Sequence, residues 1–109
     1  MGTSGENFLT LATPKRLDAA SVEEFKAAGR IMLESANAAL VVDLSRTQFI
    51  DSAGLGSLVS LLKGCTQHGK HLVLATPTPQ VRQIIELTRL HRLFDIYDSV
   101  DAARAALIH

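Results

Sequence analysis

The richest chemistry in this sequence stands at Asp51-Ser52-Ala53-Gly54-Leu55-Gly56, where an acid and a hydroxyl precede two bare backbone positions. A serine at the start of a helix caps it, its Oγ accepting from the N–H of Gly54 or Leu55, and the reading places Ser52 as the N-cap. A cap alone would not require the glycines. Gly54 and Gly56 fall in the first two turns, where each costs about 1 kcal/mol relative to alanine. Their presence points to a backbone kept bare for close approach. A hydroxyl beside free helix N–H groups and the positive end of the helix dipole also suits a phosphate. A phosphoryl group on Ser52 would add roughly −1.5 to −2 charges without disturbing the fold.

Other chemistries fit less well. A hydrolase nucleophile needs G-x-S-x-G, and Ile50 occupies the place of the first glycine, with no histidine placed as its base. A phospho-receiver using Asp51 needs an acidic pair after its first strand to hold magnesium, and only Asp18 lies there. Gly64 to Gly69-Lys70 resembles a P-loop, but His71 stands where Ser or Thr must hold magnesium, and the run joins a helix to a strand. Cys65, His68 and His71 lack a fourth metal ligand. Cys65 reads as core, and the histidines as solvated. No metal and no cofactor is expected.

The chain of 109 residues, 47% hydrophobic, is long enough for one cored domain. Eleven basic residues balance eleven acidic ones, and no basic cluster exceeds the pair Lys15-Arg16, so a nucleic-acid partner is not expected. A lone Cys65 fits a reducing compartment. The Met1 to Glu6 stretch has no basic start followed by an apolar run, and the longest apolar runs, such as Ala38 to Val42, are far short of a membrane span. These features predict a cytoplasmic protein without membrane association.

The elements that must position Ser52 follow from periodicity. Phe8 to Ala12, Leu40 to Leu44, His71 to Ala75 and Phe94 to Tyr97 read as strands. Ser21-Val22-Glu23-Glu24 has the capping-box pattern and opens a first helix running to about Ala36. Leu55, Leu58, Val59, Leu62 and Cys65 form the stripe of a second, which Gly69 can end. Thr78-Pro79 starts a third with Val81, Ile84, Ile85 and Thr88 on its buried face, and Ser99 caps a fourth. Strands alternating with helices predict an α/β fold, a mostly parallel sheet of four to five strands flanked by four helices. Residues 8–109 form the domain, and 1–7 a flexible N-terminal segment.

In this context Asp51-Ser52-Ala53-Gly54-Leu55-Gly56 resembles the D-S-x-G-L-G signature of the STAS-domain anti-sigma-factor antagonists. Leu17-Asp18-Ala19 resembles the family's step into its first helix, and Val41-Val42-Asp43-Leu44 the strand before the phosphorylation loop. Gly69 to Ala75, Pro79-Gln80-Val81 and Leu93-Phe94 fit the remainder. The resemblance implies a non-enzymatic STAS fold. Ser52 would be phosphorylated by an anti-sigma factor that is a serine kinase of the histidine-kinase-like ATPase fold. A PP2C-type phosphatase would reverse the reaction. The unphosphorylated form would bind the anti-sigma factor through Asp51 to Gly56 and so release a sigma factor. Asp51 would shape the loop. An alternative within the family is a binding module of a transport or stress-signalling complex. One departure concerns the start: the family opens with two strands and a glycine before the L-D step, whereas here only one strand is read before Leu17, and Lys15-Arg16 replaces the glycine-containing pair.

Overall fold

The computed structural model describes residues 8–35 and 39–107, and the expected flexible segment 1–7 lies outside the described residues. Phe8–Ala12 forms β1, Arg16–Leu17 β2, Val22–Ser35 α1, Ala39–Asp43 β3 and Phe49–Ile50 β4. Ser52–Gln67 forms α2, His71–Ala75 β5, Pro79–Leu87 α3, Asp95–Tyr97 β6 and Val100–Leu107 α4, with one tight helical turn at Leu90–Arg92. The main sheet runs β1-β3-β5-β6 with every pair parallel, and β2 and β4 pair in parallel as a separate ribbon. This is the α/β architecture and four-helix count read from the sequence.

The alternation of side chains along the strands divides the core in two. Leu40 and Val42 of β3 with Leu72 and Leu74 of β5 meet Phe25 and Leu33 of α1, Leu58, Leu61 and Cys65 of α2, and Val81 and Ile85 of α3. The opposite face, Val41, Val73 and Ala75, packs on Ala103, Val100 and Leu107 of α4. Strands buried on both faces carry continuous apolar runs, which is why β3 and β5 were legible.

Helix ends mostly follow their signals. The Thr78 hydroxyl accepts from the Val81 amide with Pro79 in the first turn, and the Ser99 hydroxyl accepts from the Ala102 amide. Gly69, at φ +69°, ends α2 with the Gly69 amide donating to Thr66 O and the Lys70 amide to Cys65 O, a Schellman arrangement that needs the left-handed conformation. The capping box at Ser21 does not form. The Ser21 hydroxyl donates to Arg16 O at 2.6 Å, and the Asp18 carboxylate accepts from the amides of Ala20 and Ser21 instead. The Ser21 hydroxyl is taken up by the preceding turn, where it also accepts from the Asp18 amide at 3.1 Å.

The ribbon of β2 and β4 was not expected. Each strand is two residues long, too short to show a period. Its consequence is that two strands, not one, precede α1, and Arg16-Leu17 is the second. Fully buried Leu17 and nearly buried Ile50 anchor the ribbon in the core beneath α2. There the helix comes so close that a Cβ at Gly54 would overlap the carbonyl oxygen of Leu17 and lie 2.8 Å from Ile50 Cγ1. The bare backbone at Gly54 therefore accommodates the protein's own ribbon. At exposed Gly56 a Cβ would meet nothing within 4 Å.

The two glycines are thus expected to respond oppositely. Gly54→Ala forces the helix off the ribbon and should destabilise by about 2–3 kcal/mol or more, as overpacking against backbone does. Gly56→Ala should stabilise by about 0.5–1 kcal/mol through helix propensity. Urea unfolding of both variants checks this, and equal effects would contradict the packing described.

Candidate functional site

The site is built at the N-terminus of α2, outside the carboxyl end of β3, where open α/β sheets place their functional loops. Asp51, not Ser52, is the N-cap. Its backbone is extended (φ −111°, ψ −173°), and its Oδ1 accepts from the Gly54 amide at 2.9 Å. Its Oδ2 accepts from the Ala19 amide at 3.2 Å, its own amide donates to Leu17 O at 3.3 Å, and its carbonyl accepts from Leu55 at 2.9 Å. Either residue can cap by type. The aspartate wins because its second oxygen also reaches the turn before α1.

Ser52 is accordingly the first residue of the helix, exposed, and its hydroxyl makes no hydrogen bond to another described residue. The amides of Ser52 and Ala53 precede the first intrahelical bond and lie at the positive end of the helix. Gly54 and Gly56 lie in the first two turns of α2, as the sequence predicts, and the helix begins one residue earlier than a cap at Ser52 would set it. Ser52, Ala53, Leu55 and Gly56 are at least partly accessible, whereas Gly54 is buried. The Ser57 hydroxyl, buried one turn on, donates to Gly54 O at 2.6 Å and firms that turn.

The approach to the site is held by residues the sequence reading missed. Fully buried Thr47 donates from its hydroxyl to Pro14 O at 2.7 Å and touches the Thr13 hydroxyl, and its carbonyl accepts from Thr78 Oγ1 at 2.8 Å. This network ties the segment entering β4 to the end of β1 and to α3. Isolated threonines in connections carry no sequence signal for it. Beside the site, the Arg16 guanidinium lies 4.2 Å from the Phe49 ring centroid, and its Nε is 3.3 Å from Asp18 Oδ2. Partial desolvation works against the charged form of Asp18, but the Arg16 hydrogen bond and the amides of Ala20 and Ser21 outweigh it and hold the carboxyl below its ordinary value.

The motifs set aside stay apart from this site. Cys65 is buried in the core, which pushes its thiol up against a smaller opposing effect of Lys70. His68 caps the far end of the same helix with Nδ1 on Gly64 O, and His71 opens β5. Among the described residues no cluster of metal-ligating side chains occurs, and no helix is long and apolar enough to cross a membrane. The capping assignment carries a test. Asp51→Ala should cost about 1–2 kcal/mol, the usual loss for an N-cap, while Ser52→Ala stays within about 0.5 kcal/mol. Chemical denaturation of the two variants measures it, and a larger loss at Ser52 would return the cap to the serine.

A family model for the STAS domain matches residues 3–103. Among solved structures, the chain is similar to a putative anti-sigma factor antagonist from Thermotoga maritima, with 27% identity and a TM-score of 0.84 over 94% of this chain and 88% of that one. It shares its fold with a Bacillus cell fate determinant in its phosphorylated form, at 17% identity and a TM-score of 0.71 over 94% of this chain and 92% of the other. It also shares it with a sulfate transporter family protein from Wolinella succinogenes, at 14% identity and a TM-score of 0.82 over 93% and 84% of the two chains. With the D-S-x-G-L-G turn at the head of α2 and the parallel sheet behind it, the chain belongs to the STAS-domain family.

Proposed function

We propose that this protein is an anti-sigma-factor antagonist, a cytoplasmic binding switch and not an enzyme, controlled by phosphorylation of Ser52. The observation that carries the reading is the exposed, unengaged Ser52 hydroxyl on a rigid helix start. A kinase can reach it without unfolding anything. The solved antagonist from Thermotoga maritima and the phosphorylated form of the Bacillus protein support the role and the modification. The partner is an anti-sigma factor that is a serine kinase of the histidine-kinase-like ATPase fold, and a PP2C-type phosphatase resets the switch. The transporter-family relative supports a second reading, a STAS binding module of a transport or stress-signalling complex. The intact acceptor turn favours the switch.

The unphosphorylated protein captures the anti-sigma factor with the accessible surface around Ser52, Ala53, Leu55 and Gly56. Asp51 and buried Gly54 act from behind, by fixing the turn. A phosphoryl group brings roughly −1.5 to −2 charges beside the Asp51 carboxylate, which already occupies the Gly54 amide. In the free protein, water and the amides of Ser52 and Ala53 receive it. Against a partner surface that hydration is lost, which costs several kcal/mol without a matching cation.

Ser52→Asp should fold like wild type yet bind the anti-sigma factor about a hundred- to thousandfold more weakly, corresponding to roughly 3–4 kcal/mol. Ser52→Ala should bind like wild type and resist inactivation by the kinase with ATP. Titration calorimetry with melting curves tests both. Equal affinity of the two folded variants would leave Ser52 without a switching role.

A further inference from the structure

Thr47 precedes Asp51 by one turn of chain and is fully buried. All its polar groups are engaged. The amide donates to Leu44 O at 3.1 Å, the hydroxyl donates to Pro14 O at 2.7 Å beside the Thr13 hydroxyl, and the carbonyl accepts from Thr78 Oγ1 at 2.8 Å. From there the chain toward the acceptor turn is bonded to the segment around β2. The amides of Gln48 and Phe49 donate to Lys15 O, and the Asp51 amide donates to Leu17 O. The ribbon itself has only the pairs Arg16 with Phe49 and Leu17 with Ile50, too few to hold its own position. The buried bond from Thr47 to Pro14 O sets where it begins. Any shift of the ribbon moves Leu17 O, which binds Asp51 and against which the backbone of Gly54 lies.

The other side of this pin is held by strained backbone. Thr76 is β-branched and takes φ +54°, a left-handed conformation that such residues rarely adopt. Strain of this kind persists where the surroundings over-determine it. The Thr76 amide is fixed on Tyr97 O at 2.9 Å, and two residues later Thr78 reaches Thr47 O while still capping α3 through the Val81 amide.

We propose that Thr47 is a positioning residue for phosphorylation of Ser52, holding the acceptor turn where its hydroxyl can attack. The inference rests on the switch reading above. In the transfer Ser52 Oγ forms a bond to the γ-phosphorus of ATP as the bond to the departing ADP breaks, and a base of the kinase takes the hydroxyl proton. Catalysis of this step is almost entirely alignment, so a displacement of about 1 Å can cost up to a hundredfold. Thr47 is buried and meets no kinase; it acts through β4 and Asp51.

The test is steady-state phosphorylation of the full-length protein by the anti-sigma kinase encoded in the same genome, at saturating ATP and well below melting. Hydrogen exchange of the same proteins is followed without kinase. Thr47→Val keeps the shape and removes the hydroxyl. It should lower kcat about tenfold or more with KM little changed, whereas a mere loss of folded substrate would raise KM and spare kcat. The amides of Asp51 and Gly54 should exchange faster, and those of Val41 and Val73 in the sheet should not. Thr47→Ser should restore both readouts. Thr78→Asp keeps an acceptor for the Val81 amide but has no donor for Thr47 O, and it should show the same defect. It decides the matter alone if Thr47→Val does not fold. Ile85→Val thins the core under α3 and should lower the melting temperature without changing kcat. Wild-type kcat in the folded Thr47→Val and Thr78→Asp proteins would overturn the proposal and leave the switch standing. An equal fall in kcat for Ile85→Val would overturn it too, leaving Thr47 a role in stability only. If the wild type is not phosphorylated on Ser52, the switch reading fails and takes this inference with it.

Discussion

The geometry around Ser52 depends on one carboxylate. Asp51 holds the Gly54 amide with one oxygen and the Ala19 amide with the other, while its backbone amide binds Leu17 O. A single residue thereby joins the start of α2, the turn before α1 and the small ribbon between them. Charge-assisted bonds to backbone amides are among the stronger ones available to a protein, and the one to Ala19 spans 32 residues of sequence. With Asp51 in that position Ser52 has no capping duty. Its hydroxyl is left to solvent, fixed in place by a helix whose first turn cannot fray freely.

Gly54 completes this constraint. The helix comes close enough to the ribbon for the Asp51 bonds to form only because position 54 has no side chain to strike Leu17 O. The glycine serves the interior, and Gly56 faces outward with open space around it. The two glycines of one signature therefore have different physical roles. The result is a serine hydroxyl exposed at the start of a docked helix, which suits the proposed switch, whose two states differ by a charge and not by a fold.

Much of this was legible in the sequence. β3 and β5 announced themselves because strands covered on both faces are apolar throughout, and the amphipathic stripe of α2 and the Thr78-Pro79 start of α3 follow from burial and capping chemistry. Ser52 at the head of α2 was legible for the same reason. What escaped was set by tertiary competition. The sequence offers Asp51 and Ser52 as equal caps, and only the position of Ala19 decides between them. Likewise Arg16 O takes the Ser21 hydroxyl that the pattern assigned to a capping box at the start of α1. The ribbon of β2 and β4, and the Thr47 network behind it, depend on pairings between segments about thirty residues apart that leave no local period. Gly54 was read as open to a partner because nothing in a linear sequence distinguishes a glycine that admits a ligand from one that admits its own backbone.

The central claim is that Ser52 is the acceptor of a phosphoryl group. The most direct measurement is incubation of the wild-type protein with ATP and each candidate anti-sigma kinase of the same genome, followed by intact-mass analysis and mapping of the modified residue. The account predicts one phosphoryl group, on Ser52, transferred by a kinase that also binds the unmodified protein. A protein that binds its partner yet is never phosphorylated, or is phosphorylated elsewhere with Ser52 untouched, would contradict it.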